Sequence, residues 1–563
     1  MGRGLRLRLA ACLLGCAAAV GVVPAPPGLA SGHKAGPART PSWTVYHGDP
    51  LGSGVAAGVR SVDTTTRAWT SPTLNGQLYG EPLVFGNRVY VATENDMVYA
   101  LSAANGAIVW SARVGSPVPA ALLPCSDINP TVGITGTPVI DPARQEIYVV
   151  ADELKHGTAA HMLTGLNTSS GRVELSEDVD PPGQVPLNLL QRTGLTLDDG
   201  HVYWGFGGNA EDCGKYRGRV AGVPVAGGTP RFFTADAAPG ENNGAVWMGG
   251  GAPAVGPNGD LWVTTGNGSL GKHPYDDSDA VLELSPSLRL LQFFAPASWR
   301  QDNANDLDFS TEPVLLPDGQ VIGAGKSQVV YLLNGSHLGG IGTQQVKISP
   351  VCGTNIDGGT AHAGMTAYLP CLSGVLAVKA TRSPPALRVL WSANVSSGPP
   401  IVAGGLVWTI GQNGKLYGLD PATGKIRQKA IIGAPANHFP TPGIGAGLLL
   451  APSARNVVAF RASAVRAGAT TSAARISRHD ASPRPATGAP VAAGVVLACV
   501  VAAGALVWFI WFLRRQRRTL GPVRTMPTLA SPAVGWRRHP RSRPYPRSHS
   551  YGADWSAATA PST

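Results

Sequence analysis

One pattern recurs along most of the chain, and it limits the fold more than any other feature. A Gly or Ser is followed two residues later by Pro or a small residue. A short apolar strand comes next, then a Gly, Asn or Asp turn, a Val/Tyr/Trp strand and a third strand ending at another turn. The clearest copy runs from Gly80-Glu81-Pro82-Leu83-Val84-Phe85 through Asn87, Val89-Tyr90-Val91, Tyr99-Ala100-Leu101 and Asn105-Gly106 to Trp110. Others begin near Gly136, Arg192, Gly250, Ser310, Ala361, Gly398 and His438. Spacings of about 40 to 60 residues suit one four-stranded sheet per copy. A lone sheet of this kind leaves both faces apolar and both edges open, whereas radial packing of the sheets buries the faces and shortens the exposed edges. The eighth copy lacks its last strand, which the segment around Arg67-Ala68-Trp69 is placed to supply. These features predict an all-β, eight-bladed β-propeller of four-stranded blades over residues 42–460. With 72 Gly and 48 Pro in 563 residues, about a fifth of the chain is turn-forming, as such a ring requires.

The two ends read differently. Arg3, Arg6 and Arg8 precede the apolar run Leu9 to Val23 and the small-residue site Gly28-Leu29-Ala30, so residues 1–30 are expected to be a secretory signal peptide. Cys12 and Cys16 each follow a loose lipobox, but apolar residues continue past both. Residues 461–490 are rich in Ala, Ser, Thr, Pro and Arg and read as a flexible linker. Val491 to Leu513 is uncharged. As a helix of about 34 Å it would cross a hydrocarbon core of about 30 Å, so one C-terminal transmembrane helix is expected. Arg514, Arg515, Arg517 and Arg518 follow at once and predict a cytoplasmic C-terminus, with the propeller outside the cytoplasm of a single-pass membrane protein. Residues 514–563 form a basic tail expected to be disordered and to favour anionic lipid.

The formal charge of +11 therefore needs sorting by segment. Residues 42–460 hold 25 Lys/Arg against 32 Asp/Glu, a balance of −7, while the ends carry the positive excess. An acidic body excludes a phosphate-binding groove, and no nucleic-acid partner is expected. Arg outnumbers Lys 35 to 10, a bias associated with high-GC bacterial genes.

The repeat resembles propellers of the pyrroloquinoline-quinone (PQQ) type, a family of quinoprotein alcohol dehydrogenases and non-catalytic scaffolding relatives. The family's turn reads roughly Leu-Asp-x-x-Thr-Gly-x-x-x-Trp. Leu101 to Trp110 matches it, Leu419 to Gly424 matches without the Trp, and Leu166 to Gly171 matches more weakly. The resemblance spans about residues 42–460. It implies a cofactor on the propeller axis, stacked on a Trp and bound beside Ca²⁺. On that basis Trp247 is the stacking residue, Asn267 and Glu211 are calcium ligands, Asp306 and Asp308 are candidate catalytic bases, and Lys326 is the basic cofactor contact. Hard oxygen ligands suit Ca²⁺, which polarises the quinone carbonyl. The chain departs from the family in lacking adjacent cysteines and a CxxCH haem motif, and its cofactor-covering loops are short. The segment His273 to Asp279 clusters three Asp, but its spacing fits no calcium loop and it reads as solvated.

Four cysteines belong to the body, and four permit three pairings. Cys352 and Cys371 fall within one repeat and are expected to pair, leaving Cys125 with Cys213 across neighbouring repeats; an exported, oxidising setting favours disulfides over a metal site. A complete repeat set with an incomplete catalytic set predicts a binding or scaffold module for a protein, glycan or cell-envelope ligand. The alternative is a PQQ- and calcium-dependent dehydrogenase oxidising alcohols or sugars.

Overall fold

A computed structural model describes residues 42–269 and 274–465. The expected signal peptide, most of the linker, the expected transmembrane segment and the basic tail lie outside these residues. Among the described residues no helix is long and apolar enough to cross a membrane.

Eight sheets form the ring. Seven are built from consecutive strands within residues 83–113, 139–178, 196–234, 254–295, 314–348, 361–393 and 401–431, and are called blades 1 to 7 here. The eighth joins Gly443–Gly445, Leu448–Ser453 and Asn456–Ala464 to a strand from the other end of the chain, Val59–Thr70. The missing strand of the last repeat is thus supplied by the segment containing Arg67-Ala68-Trp69. The ring closes as a sheet, with Val62 opposite Ala462 and Thr70 opposite Val458.

Burial follows position in the blade. Middle strands such as Val98 to Leu101 or Val375 to Val378 are buried on both faces. Last strands alternate between exposed and half-buried residues, as in Ile108–Arg113, Val173–Asp178 and Ile426–Ile431. First strands such as Val139–Asp141 are buried too, and the middle strands, covered by a neighbouring blade on each side, read as near-continuous apolar runs.

The repeated turn motif explains how one blade holds the next. In Leu101 to Trp110, the Gly106 N–H bonds the Ser102 carbonyl at 2.8 Å, and Gly106 adopts φ +74°. The same turn recurs at Asn167–Gly171 and Asp420–Gly424. Each glycine receives a Trp from the preceding blade: Trp69 covers Gly106, Trp110 covers Gly171 and Trp391 covers Gly424. A Cβ at any of the three would come within 2.6 Å of the indole, so glycine is required for contact as well as for φ. Each indole Nε1 also donates to a turn carbonyl, Ala103 at 2.9 Å, Thr168 at 3.0 Å and Pro421 at 2.9 Å. Leu419 to Gly424 is followed by Gln428 at the place of Trp110, and Gln428 bonds the closing strand instead, accepting from the Thr64 N–H and donating to the Val62 carbonyl.

The segment before the closing strand circles the axis. Trp43 exchanges backbone bonds with Val84 of blade 1, Thr44 accepts from Ile140 of blade 2, and Pro50 accepts from Val255 of blade 4. Ser53 accepts from His362 of blade 6, Gly54 from Val402 of blade 7, and Val55–Ala56 then pairs with Val402 and Ala403. It carries His47 into the centre, fully buried, with Nδ1 3.1 Å from Glu312 Oε1. The His47 N–H donates to Glu81 Oε2 at 2.7 Å, and the Trp43 indole donates to the other Glu81 oxygen at 2.8 Å.

Both disulfides are present, Cys125–Cys213 and Cys352–Cys371, each with Cα atoms 5.9 Å apart. The second departs slightly from the expected placement. Cys352 sits in the connection before blade 6, so the bridge ties that connection to the blade's second strand, Thr366–Cys371.

Two outcomes follow from this packing. Trp69→Ala removes a buried indole at the closure, and a loss of about 3 to 5 kcal/mol is expected in denaturant unfolding. Unfolding unchanged within error would show that the indole does not hold the closure. The second concerns pH. Burial pushes Glu81 up to about 7, Glu94 to about 8 and Asp96 to about 9. Burial alone would lower His47, but Glu312 and Glu81 outweigh it and raise the ring above its usual value. All four hold a proton more tightly folded than unfolded, so the carboxyls oppose folding as pH rises above their unfolded values and His47 loses its stabilising charge as pH passes its folded value. The melting temperature should fall by several degrees between pH 6.5 and 9; a flat or rising profile would contradict these protonation states.

Candidate functional site

A cavity of about 590 Å³ collects residues from connections around almost the whole ring, and therefore lies on its axis. Trp247, Asn267, Asp306, Asp308 and Lys326, scattered in sequence and implied by the family resemblance, all line it.

Local geometry explains the convergence. Trp247 lies in the connection between blades 3 and 4, where the neighbouring Val246 N–H bonds Phe206 and the Ala245 carbonyl accepts from Gly266 at 2.8 Å. Its half-buried ring meets Phe439 edge-on, with centroids 6.1 Å apart. Asn267 follows the second strand of blade 4, Leu261–Thr265, and its N–H donates to Asp308 Oδ1 at 2.6 Å. Asp308 is 4% exposed, while the Asp306 side chain is 64% exposed. Lys326 joins the two carboxylates, with Nζ 2.7 Å from Asp306 Oδ1 and 2.8 Å from Asp308 Oδ2, and stands 5.3 Å from the Trp247 ring centroid. A Cβ at Gly325 would come within 2.0 Å of the Asp308 carbonyl, so this approach depends on glycine before the lysine. Burial would weaken the ammonium, but Asp308 and Asp306 outweigh it and hold Lys326 well above its usual pKa. It is a fixed cation, not a proton acceptor.

Sequence reasoning missed several lining residues. The backbone at Glu211 lies in the short 3₁₀ turn Ala210–Asp212, but its side chain lies outside the described residues. The next residue, Asp212, lines the cavity and accepts from the Tyr216 hydroxyl at 2.5 Å. Burial raises its pKa, and Asn267 is among the groups that lower it by hydrogen bonding. Cys213 is bonded to Cys125, so a disulfide clamps this wall beside Asp127, another lining residue. Asp357, pushed up to about 6 chiefly by burial, and Arg192, Tyr79, His438 and Phe439 complete much of the remainder. Proximity of Asp212 to the Glu211 motif and to Cys213 was the signal available in sequence.

The residues present suit a planar, anionic cofactor with a hard cation. Trp247 offers an aromatic face and Lys326 a cation beside it, while Asp212 and Asp308 contribute carboxylate oxygens and Asn267 an amide to one wall. Among the described residues no group of three or more His, Cys, Asp or Glu is arranged to hold a metal. The expected solvated acidic loop is not solvated where described: Asp276 and Asp277 are half-buried and Asp279 is 1% exposed. His273 lies outside the described residues.

Closing the Cys125–Cys213 bridge constrains an 88-residue separation beside the cavity. Non-reducing peptide mapping should recover both assigned pairs, and Cys125→Ser with Cys213→Ser should lower stability by about 2 to 5 kcal/mol. A free thiol among the four would refute the pairing.

Comparison with known proteins agrees with this architecture. A family model described as outer membrane protein assembly factor BamB matches residues 55–279. Polyvinylalcohol dehydrogenase of Sphingopyxis sp. (strain 113P3) is 24% identical over 348 residues, covering 52% of this chain and 49% of that protein. The chain thus spans about half the length of this curated relative. Among solved structures, quinohemoprotein alcohol dehydrogenase ADHIIG from Pseudomonas putida superposes with a TM-score of 0.56 at 13% identity, covering 83% of this chain and 85% of the other. A europium-containing methanol dehydrogenase gives 0.54 at 14% identity, covering 75% and 98%. At these identities the structures establish the fold alone. Repeat, ring and family model together make this chain similar to the PQQ-type β-propellers.

Proposed function

We propose that the axial cavity binds a PQQ-type quinone together with calcium and that the protein is a dehydrogenase acting on alcohols or sugars. The observation that carries this reading is the convergence of Trp247, Asn267, Asp308 and Lys326 on one cavity, with Lys326 at once on Asp308 and above Trp247. Once bound, the quinone supplies an acceptor for hydride equivalents, and calcium polarises its carbonyl.

The chain's own residues bind and position. Trp247 stacks against the planar ring system. Lys326, a permanent cation, favours negative charge at an adjacent oxygen. Asp308 is the better placed of the two candidate bases, because it is shielded from solvent and fixed by the Asn267 N–H and Lys326. It accepts the proton of a substrate hydroxyl held beside it. Asp306, more exposed, orients Lys326 from the other side.

The complete repeat set with an incomplete catalytic set favours a binding or scaffold module for a protein, glycan or cell-envelope ligand, and this is the second reading. It is supported by the family model described as outer membrane protein assembly factor BamB, which matches residues 55–279. In either case the 491–513 segment supports a single-pass membrane anchor with the propeller outside the cytoplasm. The basic tail is then available to anionic lipid.

The readings separate in one titration. The full chain, incubated with PQQ and Ca²⁺, should retain quinone absorbance and oxidise alcohols or sugars with an artificial dye. Trp247→Ala should release the quinone, and Asp308→Asn should retain it while reducing turnover by about 10²- to 10⁴-fold. No quinone binding and no turnover would leave the binding-module reading.

A further inference from the structure

The cavity has two cations, and only one of them is neutralised. Lys326 touches two carboxylates. Arg192 also lines the cavity and is 6% exposed, yet no carboxylate lies within ion-pairing distance of it among the described residues. Its Nη2 is buried without a hydrogen-bond partner. The guanidinium is instead held by rings, with Cζ 4.3 Å from the Phe439 centroid and 6.0 Å from that of Tyr79. Its backbone is fixed on either side: Leu190 pairs with Gly207, the Thr193 hydroxyl accepts from the Gly205 N–H at 2.7 Å, and Gly194 bonds Gly250 at 3.1 Å. A Cβ at Gly250 would come within 2.6 Å of Arg192 Nη1, so in this pose the guanidinium packs directly on the glycine backbone.

Burying a charge without a partner is costly, and a guanidinium presents five donors in a fork matched to a carboxylate. Nearby acids act on Arg192 through space. Glu94, pushed up to about 8 by burial, is mostly protonated at neutral pH, and Asp127 lines the cavity. His438 is held down to about 4 by burial and by Arg192, so it is neutral, and its Nε2 is also unpartnered.

We propose that Arg192, between Phe439 and Tyr79, is an anion subsite that takes a carboxylate of the molecule occupying the cavity, at a place separate from the Lys326–Asp308 pair. The inference stands on the cavity itself and holds whether or not a quinone is the occupant. The carboxylate comes either from the cofactor or from the substrate.

The test uses the full chain and two probes of like shape, 1-naphthoate and neutral 1-naphthamide, in calorimetric titrations at neutral pH. Wild type should prefer the carboxylate by about tenfold or more, the scale of a charge-assisted hydrogen bond. Arg192→Met should erase that preference without lowering the melting temperature of the free protein, since no ionic partner is lost, and Arg192→Lys should keep part of it. Naphthoate blocked by prior loading with PQQ assigns the subsite to the cofactor's carboxylate; naphthoate still bound assigns it to substrate. Equal affinity of wild type for the two probes overturns the proposal, even if Arg192→Met does not fold, as does a preference that survives Arg192→Met. If PQQ fails to bind while the Arg192-dependent preference holds, the dehydrogenase reading falls and the anion subsite remains.

Discussion

The seating of an indole on a turn glycine of the next blade is the contact on which much of this structure depends. At Trp69–Gly106, Trp110–Gly171 and Trp391–Gly424 it combines aromatic burial, one hydrogen bond and a backbone conformation that L side chains rarely adopt. Each requirement constrains a different atom, so the contact fixes the angle between blades as well as their spacing. A ring of eight sheets magnifies any error in that angle, because the last blade must meet a strand from the beginning of the chain. The axial cavity inherits this precision. Its walls are loops from different blades, and Asp308 meets Lys326 and Asn267 only if blades 4 and 5 stand in register.

The axis is divided by chemistry. The segment around His47 places a buried acid–histidine cluster among blades 1, 5 and 6, bonded by Trp43, backbone N–H groups and His47 itself, with His47 Nε2 and Glu312 Oε2 left without a hydrogen-bond partner. The cavity is lined by carboxylates and two cations that differ in how far they are paired. Such a site favours a charged or polar ligand over an apolar one. This agrees with a quinone bearing several acidic groups and equally with another polar carboxylate, which is why the cation at Arg192 bears on occupancy independently of the Trp247 motif.

Much of the fold was legible because turns and apolar strands repeat, and a repeated pattern is evidence about packing as well as local structure. Even the borrowed strand around Trp69 could be read, since the eighth repeat was one strand short. The meaning of the glycine–Trp motif was less accessible: the Gly and Trp of one repeat do not touch each other, and only the ring brings Trp69, Trp110 and Trp391 to the glycines of the next blades. The candidate site was legible where a local motif marks it, at Trp247, Asn267, Asp308 and Lys326. Arg192, Tyr79 and Phe439 belong to no shared motif, and 113 residues or more separate Arg192 from its two aromatic neighbours. Asp212 was obscured by the acidic residue beside it, and the acidic stretch near Asp279 misled because charge in sequence does not report how closely strands pack around it.

The segment that circles the axis also bears on the order of assembly. Its bonds reach blades 1, 2, 4, 6 and 7, and the strand after it pairs across nearly the whole domain, as in the Ser61–Ser463 hydroxyl contact over 402 residues. Contacts so distant in sequence carry a high loop-closure cost and form late. During synthesis the residues made first must therefore wait, extended and unpaired, until those near 460 are available. The blades can gather pairwise through their Trp–Gly contacts before then, but the final locking of the ring belongs to the segment made earliest.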